Sequence, residues 1–133
     1  MKVNLVVAAR EVVADEDSND LDILGVFTEA LPEGLPAYHP LINLILFCEA
    51  EVSEFEQEKL IEIELRYADG ELQQAWHDIF VVPKARRAGE RSFAAPIFPL
   101  QYVPFPKAGN YAFNVMVDKR PENSLPFYVH PPP

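Results

Sequence analysis

Prolines and glycines, thirteen and five of them, break this chain roughly every ten residues, and the runs between them follow period two instead of the helical period. In Lys59-Leu60-Ile61-Glu62-Ile63-Glu64-Leu65-Arg66-Tyr67, the side chains of Ile61, Ile63, Leu65 and Tyr67 share one face and Glu62, Glu64 and Arg66 share the other. Successive side chains of a strand point to opposite faces, so this run is a half-buried antiparallel strand. Asp69-Gly70 is a hairpin turn signal, and Leu72 to Val82 returns as its partner with Trp76 and Phe80 on one face. Asn110 to Asp118 alternates again, directing Tyr111, Phe113, Val115 and Val117 inward, and beyond the turn at residues 119–123 Leu125, Phe127 and Val129 continue the pattern.

Lys2 to Ala9, Leu21 to Glu29 and Leu41 to Val52 are more apolar, which predicts central strands with both faces covered. Proline at 96, 99, 104 and 106 makes residues 94–106 an edge strand or a coil between sheets, because proline cannot donate to a ladder. Ser53 to Lys59 offers a helical turn. Gly109 permits a tight corner, and Tyr111 can bury its ring while its hydroxyl reaches a backbone group, as in the tyrosine corner of Greek-key sandwiches. The fold expected is all-β, a single antiparallel β-sandwich of about seven or eight strands, immunoglobulin-like or C2-like, over residues 1–130. The proline tail, 131–133, is expected to be disordered.

A chain of 133 residues supports one core. With 21 acidic against 11 basic side chains and a net charge of −10, it repels phosphate backbones and anionic lipid, so neither nucleic acid nor membrane is an expected partner. The single cysteine, Cys48, lies in the apolar run Leu41 to Cys48 with no electropositive neighbour, as a small buried hydrophobe in a reducing cytoplasm would. No apolar stretch has the length of a membrane helix and no convincing cleavage site follows the N-terminus, so the chain is read as soluble and unprocessed.

Catalytic spacing is not evident. His39, His77 and His130 stand apart from one another and from Cys48, and His39 beside Pro40 is read as fixing a loop. His77 and Asp78 are strand neighbours that face opposite ways. With neither a phosphate-cradling glycine loop nor a Gly-x-Ser-x-Gly elbow, a non-catalytic chain without a cofactor is expected.

The acidic stretch Asp15-Glu16-Asp17-Ser18-Asn19-Asp20-Leu21-Asp22 could be a calcium loop, an acidic docking site or a solvated turn. Asp15, Asp17 and Asn19 match the first half of an EF-hand loop, but Asp20 stands where glycine is needed and Val26 where the bidentate glutamate belongs. A C2-like calcium site drawing on Asp15, Asp17, Asn19 and Asp20, with Asp69 or Asp118 from other loops, is the alternative to a solvated hairpin tip. Lys84, Arg86, Arg87 and Arg91 gather in one loop of an otherwise acidic chain, as a solvated loop or as a docking element for an acidic partner or for the acidic loop of another copy. Phe98, Tyr102 and Phe105 lie in the proline-spaced run 96–106, as core cover or as an exposed apolar patch. The reading that follows is a protein-interaction domain, with a protein partner or self-association through these seven residues.

Taken in order, Ile23-Leu24-Gly25-Val26-Phe27, Pro36-Ala37-Tyr38-His39-Pro40 and Pro106-Lys107-Ala108-Gly109-Asn110-Tyr111-Ala112-Phe113 resemble a family of small bacterial domains of unknown function. In that family I-L-G-x-F, P-x-x-H-P and P-x-x-G-x-Y-x-F recur. The resemblance implies a β-sandwich and brings no activity or catalytic residues.

Overall fold

The computed structural model describes residues 1–18 and 20–133. Among these residues it contains ten strands: β1 (Lys2–Ala14), β2 (Leu21–Val26), β3 (Glu29–Ala30), β4 (Ala37–Ala50), β5 (Glu58–Tyr67), β6 (Leu72–Val81), β7 (Ser92–Ala94), β8 (Ile97–Phe105), β9 (Gly109–Val117) and β10 (Arg120–Val129). A single 3-10 turn, Val52–Glu54, overlaps only the start of the segment expected to be helical, and residues 58 and 59 already belong to β5. The first sheet runs β2-β1-β4, with β7 and β8 sharing the far side of β4; the second runs β3-β10-β9-β5-β6. Every pairing is antiparallel except that of the two-residue β3 with β10. The two sheets pack face to face, so the chain is an all-β sandwich.

The core is the sum of the inward faces. Val6, Ala8, Ile42, Leu44, Leu46 and Leu100 of the first sheet meet Ile61, Ile63, Leu65, Phe113, Val115 and Phe127 of the second, all buried. Each such side chain contributes about 1.5–3 kcal/mol relative to exposure. β1 and β4 are central, as their composition predicts. In β4, residues 42–46 are buried without interruption: Ile42, Leu44 and Leu46 face the second sheet, while Ile45 lies between Val7 of β1 and Ile97 of β8 in the ladder. Asn43 is satisfied by donating to the Arg10 carbonyl at 3.1 Å.

Two strands depart from expectation. β2 is an edge strand paired only with β1, and Leu24 and Val26 remain exposed. Apolar content there does not mean two-sided burial, because the hairpin puts a single neighbour beside it. Its Gly25 has a φ of +68°, and an added Cβ would press within 3.0 Å of the Arg10 stem, so glycine is needed to let that arginine lie along the strand. In β8 the alternation changes phase. Leu100 points inward, but Tyr102 takes a φ of +51°, after which Val103 and Phe105 are buried and Tyr102 is 71% exposed.

The corner at Gly109 forms as its sequence suggests. The Tyr111 hydroxyl donates to the Lys107 carbonyl at 2.6 Å, and Tyr67, packed edge-on against Tyr111 with centroids 4.9 Å apart, donates to the Ala108 carbonyl at 2.9 Å. Gly109 has a φ of +132°, and a Cβ on it would collide with the Tyr67 hydroxyl. Tyr111→Ala should therefore cost about 3–5 kcal/mol in urea unfolding and Tyr111→Phe only about 1 kcal/mol. Gly109→Ala should cost less in a Tyr67→Phe background than in the wild type, because the obstructing hydroxyl is gone; equal costs would disprove the close approach.

Candidate functional site

A cleft lies where the chain passes from the first sheet to the second. After β2, Phe27 and Thr28 cross over, β3 settles beside β10, and a loop over residues 31–36 leads into β4. These segments enclose a cleft of about 690 Å³. Phe27, Phe105 and Val129 form its floor, Arg10 and His39 its walls, and Val26, Leu31 and Tyr38 its mouth. The mouth residues are 61%, 77% and 66% exposed, which large apolar side chains adopt at a cost in hydration. Glu29 and Glu33 add negative charge at the rim, Glu29 with its carboxylate 2.9 Å from the His130 imidazole.

Inside, the packing is aromatic. His39 stacks on Phe27 at 5.5 Å and 26°, and the Arg10 guanidinium lies 5.2 Å from the Phe27 centroid. That arrangement is worth about 0.5–1 kcal/mol at a partly exposed site. His39 Nδ1 is buried and has no hydrogen-bond partner among the described residues. Burial lowers the His39 pKa, the Leu41 backbone opposes this, and the Arg10 charge adds to it. The neutral form of the ring is therefore favoured in the wall of the cleft. His39 belongs to a strand, not to a loop as its proline neighbour suggested. Its isolation in sequence gave no sign of the cleft, because Phe27, Arg10 and Val129 come from distant segments.

Of the seven residues that the sequence offers for interaction, Phe105 lines the cleft and the others do not. Asp15 accepts the backbone N–H of Asp17 at 2.8 Å and of Ser18 at 3.3 Å, so its carboxylate caps its own turn. Asp69 is bound to the Glu71 N–H and Asp118 to the Leu60 N–H, at opposite ends of β5. Among the described residues no three metal-binding side chains converge; Asn19 lies outside those residues. Arg91 pairs with Glu49 and Glu51, Lys84 with Glu56, and Arg86 donates to the Ser18 carbonyl at 3.3 Å. One bond, from Arg86 to the Ser18 carbonyl, joins the basic loop to the acidic turn within the chain, and Arg87 alone of the four has no such partner among the described residues. Phe105 must be corrected: it is 1% exposed and stacked on Phe127, so it belongs to no exposed apolar patch and reaches the surface only as part of the cleft floor. Phe98 is half-buried against that core. Tyr102 is exposed on β8 outside the lining of the cleft.

Two outcomes follow from this geometry. A group whose folded pKa is lowered stabilises the fold fully above its unfolded value, here 6.5, and loses that contribution as pH falls through the folded value. Between about pH 7.5 and about pH 5 the melting temperature should fall more in the wild type than in His39→Phe; parallel curves would remove His39 from the titration. Millimolar calcium should move the melting temperature by less than about one degree, whereas Asp15→Ala should cost about 0.5–1.5 kcal/mol through its lost turn bonds.

Among the described residues no helix is long and apolar enough to cross a membrane. No curated protein and no solved structure matches the chain. The family of unknown function DUF6941 matches it over residues 5–130, nearly its whole length, and the chain belongs to that family.

Proposed function

We propose that this chain is a non-catalytic protein-binding domain whose cleft receives an apolar side chain from an exposed segment of its partner. One observation carries the reading: Val26, Leu31 and Tyr38 stand exposed around a cavity that has an aromatic floor. Tyr38 has Pro104 as its ladder partner, and Tyr102 extends the apolar surface along β8. A surface wider than the cavity suits a polypeptide better than a small molecule.

The net charge of −10 and the glutamates at the rim favour a partner segment that is neutral or basic near the anchor. The basic loop 84–91 contributes less, since most of its cations are already paired. A bacterial cytoplasm is part of the same reading: the resemblance is to small bacterial domains, and Cys48 is buried with its thiol pushed up to about 12, which suits a reducing compartment.

Peptides selected by display against the purified domain should share an aromatic or aliphatic anchor next to a basic residue. Their binding should shift backbone NMR signals at Val26, Leu31, Tyr38 and His39. Leu31→Glu with Tyr38→Glu should weaken them at least about tenfold with little change in stability, and Arg86→Glu with Arg87→Glu should not. Selected peptides that shift signals around Phe93 and Arg86 while tolerating the cleft substitutions would move the site to the other end of the sheet.

A further inference from the structure

The second sheet ends at β6, which has β5 on one side and no strand on the other among the described residues. Which of its backbone groups are free can be worked out from hydrogen bonds further in. Asp118 donates its N–H to the Leu60 carbonyl at 2.9 Å, and the Leu60 N–H donates to the Asp118 carboxylate at 2.9 Å, so Leu60 addresses the β9 side. Backbone groups of successive residues point to opposite edges of a strand. Ile61 and Ile63 therefore address β6, where their register partners are Asp78 and Trp76. At the end of the ladder the Val82 N–H donates to the Gln57 carbonyl, consistent with even-numbered residues facing β5. Ala75, His77 and Ile79 are left with N–H and C=O groups directed away from the sheet. The Ile79 N–H turns to the Asp78 carboxylate at 2.8 Å in place of a neighbouring strand.

Natural edge strands are usually blunted by lysine, proline or shortness. β8 carries Pro99 and Pro104, and β2 is six residues long with a glycine near its end. β6 is ten residues long, contains no proline, lysine or arginine, has Asp78 as its one carboxylate, and exposes Leu72, Ile79 and Val81. An edge of this kind is a template for another strand.

We infer that β6 pairs with β6 of a second copy of this chain, antiparallel, with His77 opposite His77 on the two-fold axis, so that two second sheets become one. The occupant is a second copy because the strand is complementary to itself in this register. Ala75 then opposes Ile79 and both use outward-directed groups, while Asp78 opposes Trp76 and never its own copy. Sliding two residues one way sets Asp78 against Asp78, a like-charge pair that destabilises a ladder. Sliding the other way sets Ile79 against Gln73, which sits at the irregularity between Leu65 and Arg66 in the β5 pairing. The contact is made by backbone groups and apolar side chains between chains of equal net charge, so salt screens a repulsion and does not weaken the association. The cleft plays no part in it.

Sedimentation of the purified chain at low and high salt provides the test. The wild type should sediment at twice 15.1 kDa, with the dimer unchanged or favoured as salt rises. His77→Pro removes an N–H that β5 does not use, and Ile79→Lys places a charge on the edge; each should give a folded monomer. If His77→Pro perturbs the fold, Ile79→Lys decides. Leu31→Glu with Tyr38→Glu should remain dimeric, which separates this contact from cleft binding. A wild type that stays at 15.1 kDa up to its solubility limit, a dimer that dissociates at high salt, or a folded Ile79→Lys that remains dimeric would each overturn the inference.

Discussion

Phe127 is the ring on which the two sheets close. It stacks nearly parallel on Phe105 at 5.4 Å and meets Phe113 and Phe27 edge-on, each at 5.7 Å. Four rings from β10, β8, β9 and the β2–β3 crossing are thereby fixed relative to one another, with each pair contributing about 0.5–1.5 kcal/mol beyond simple burial. Because Phe27 also carries His39 on its ring and Arg10 beside it, the same cluster that closes the core sets the floor and walls of the cleft. The site is an extension of the packing, not an addition to it.

The cleft also holds what the core does not tolerate. A buried nitrogen without a partner costs about 1–3 kcal/mol, and large apolar side chains at the mouth forgo burial they could have had. Several polar groups elsewhere are satisfied: Asn43 donates to the Arg10 carbonyl, Tyr67 and Tyr111 donate to the corner carbonyls, and Asp118 caps Leu60. Exposed apolar side chains gathered around a cavity are what a binding site presents and close packing does not.

Charge behaves differently from what its clustering suggests. Four cations in one loop and a run of carboxylates at one hairpin tip are the most conspicuous features of the sequence, yet the fold brings carboxylates to Arg91 and Lys84, a carbonyl to Arg86, and a set of backbone donors to Asp15. Surface pairs of this kind contribute little to stability. Their effect is to leave a smaller local field than the count of charges implies.

The sequence by itself determined the layering. Period two in 59–67 and 110–118, the Asp-Gly turn and the proline spacing specify strands, hairpins and an all-β sandwich, because alternation is a local property that needs no knowledge of neighbours. It also determined the Tyr111 corner, where glycine and tyrosine lie two residues apart and the bond they serve is made to Lys107, four residues away. Tertiary structure decided which apolar strand became an edge, that Tyr102 in a left-handed conformation faces solvent while Phe105 joins the core, and that Arg10, Phe27, His39 and Val129 surround one cavity. Those outcomes depend on contacts between segments far apart in the chain, and the pattern within any one segment is the same whether its neighbour is a strand, a cleft or water.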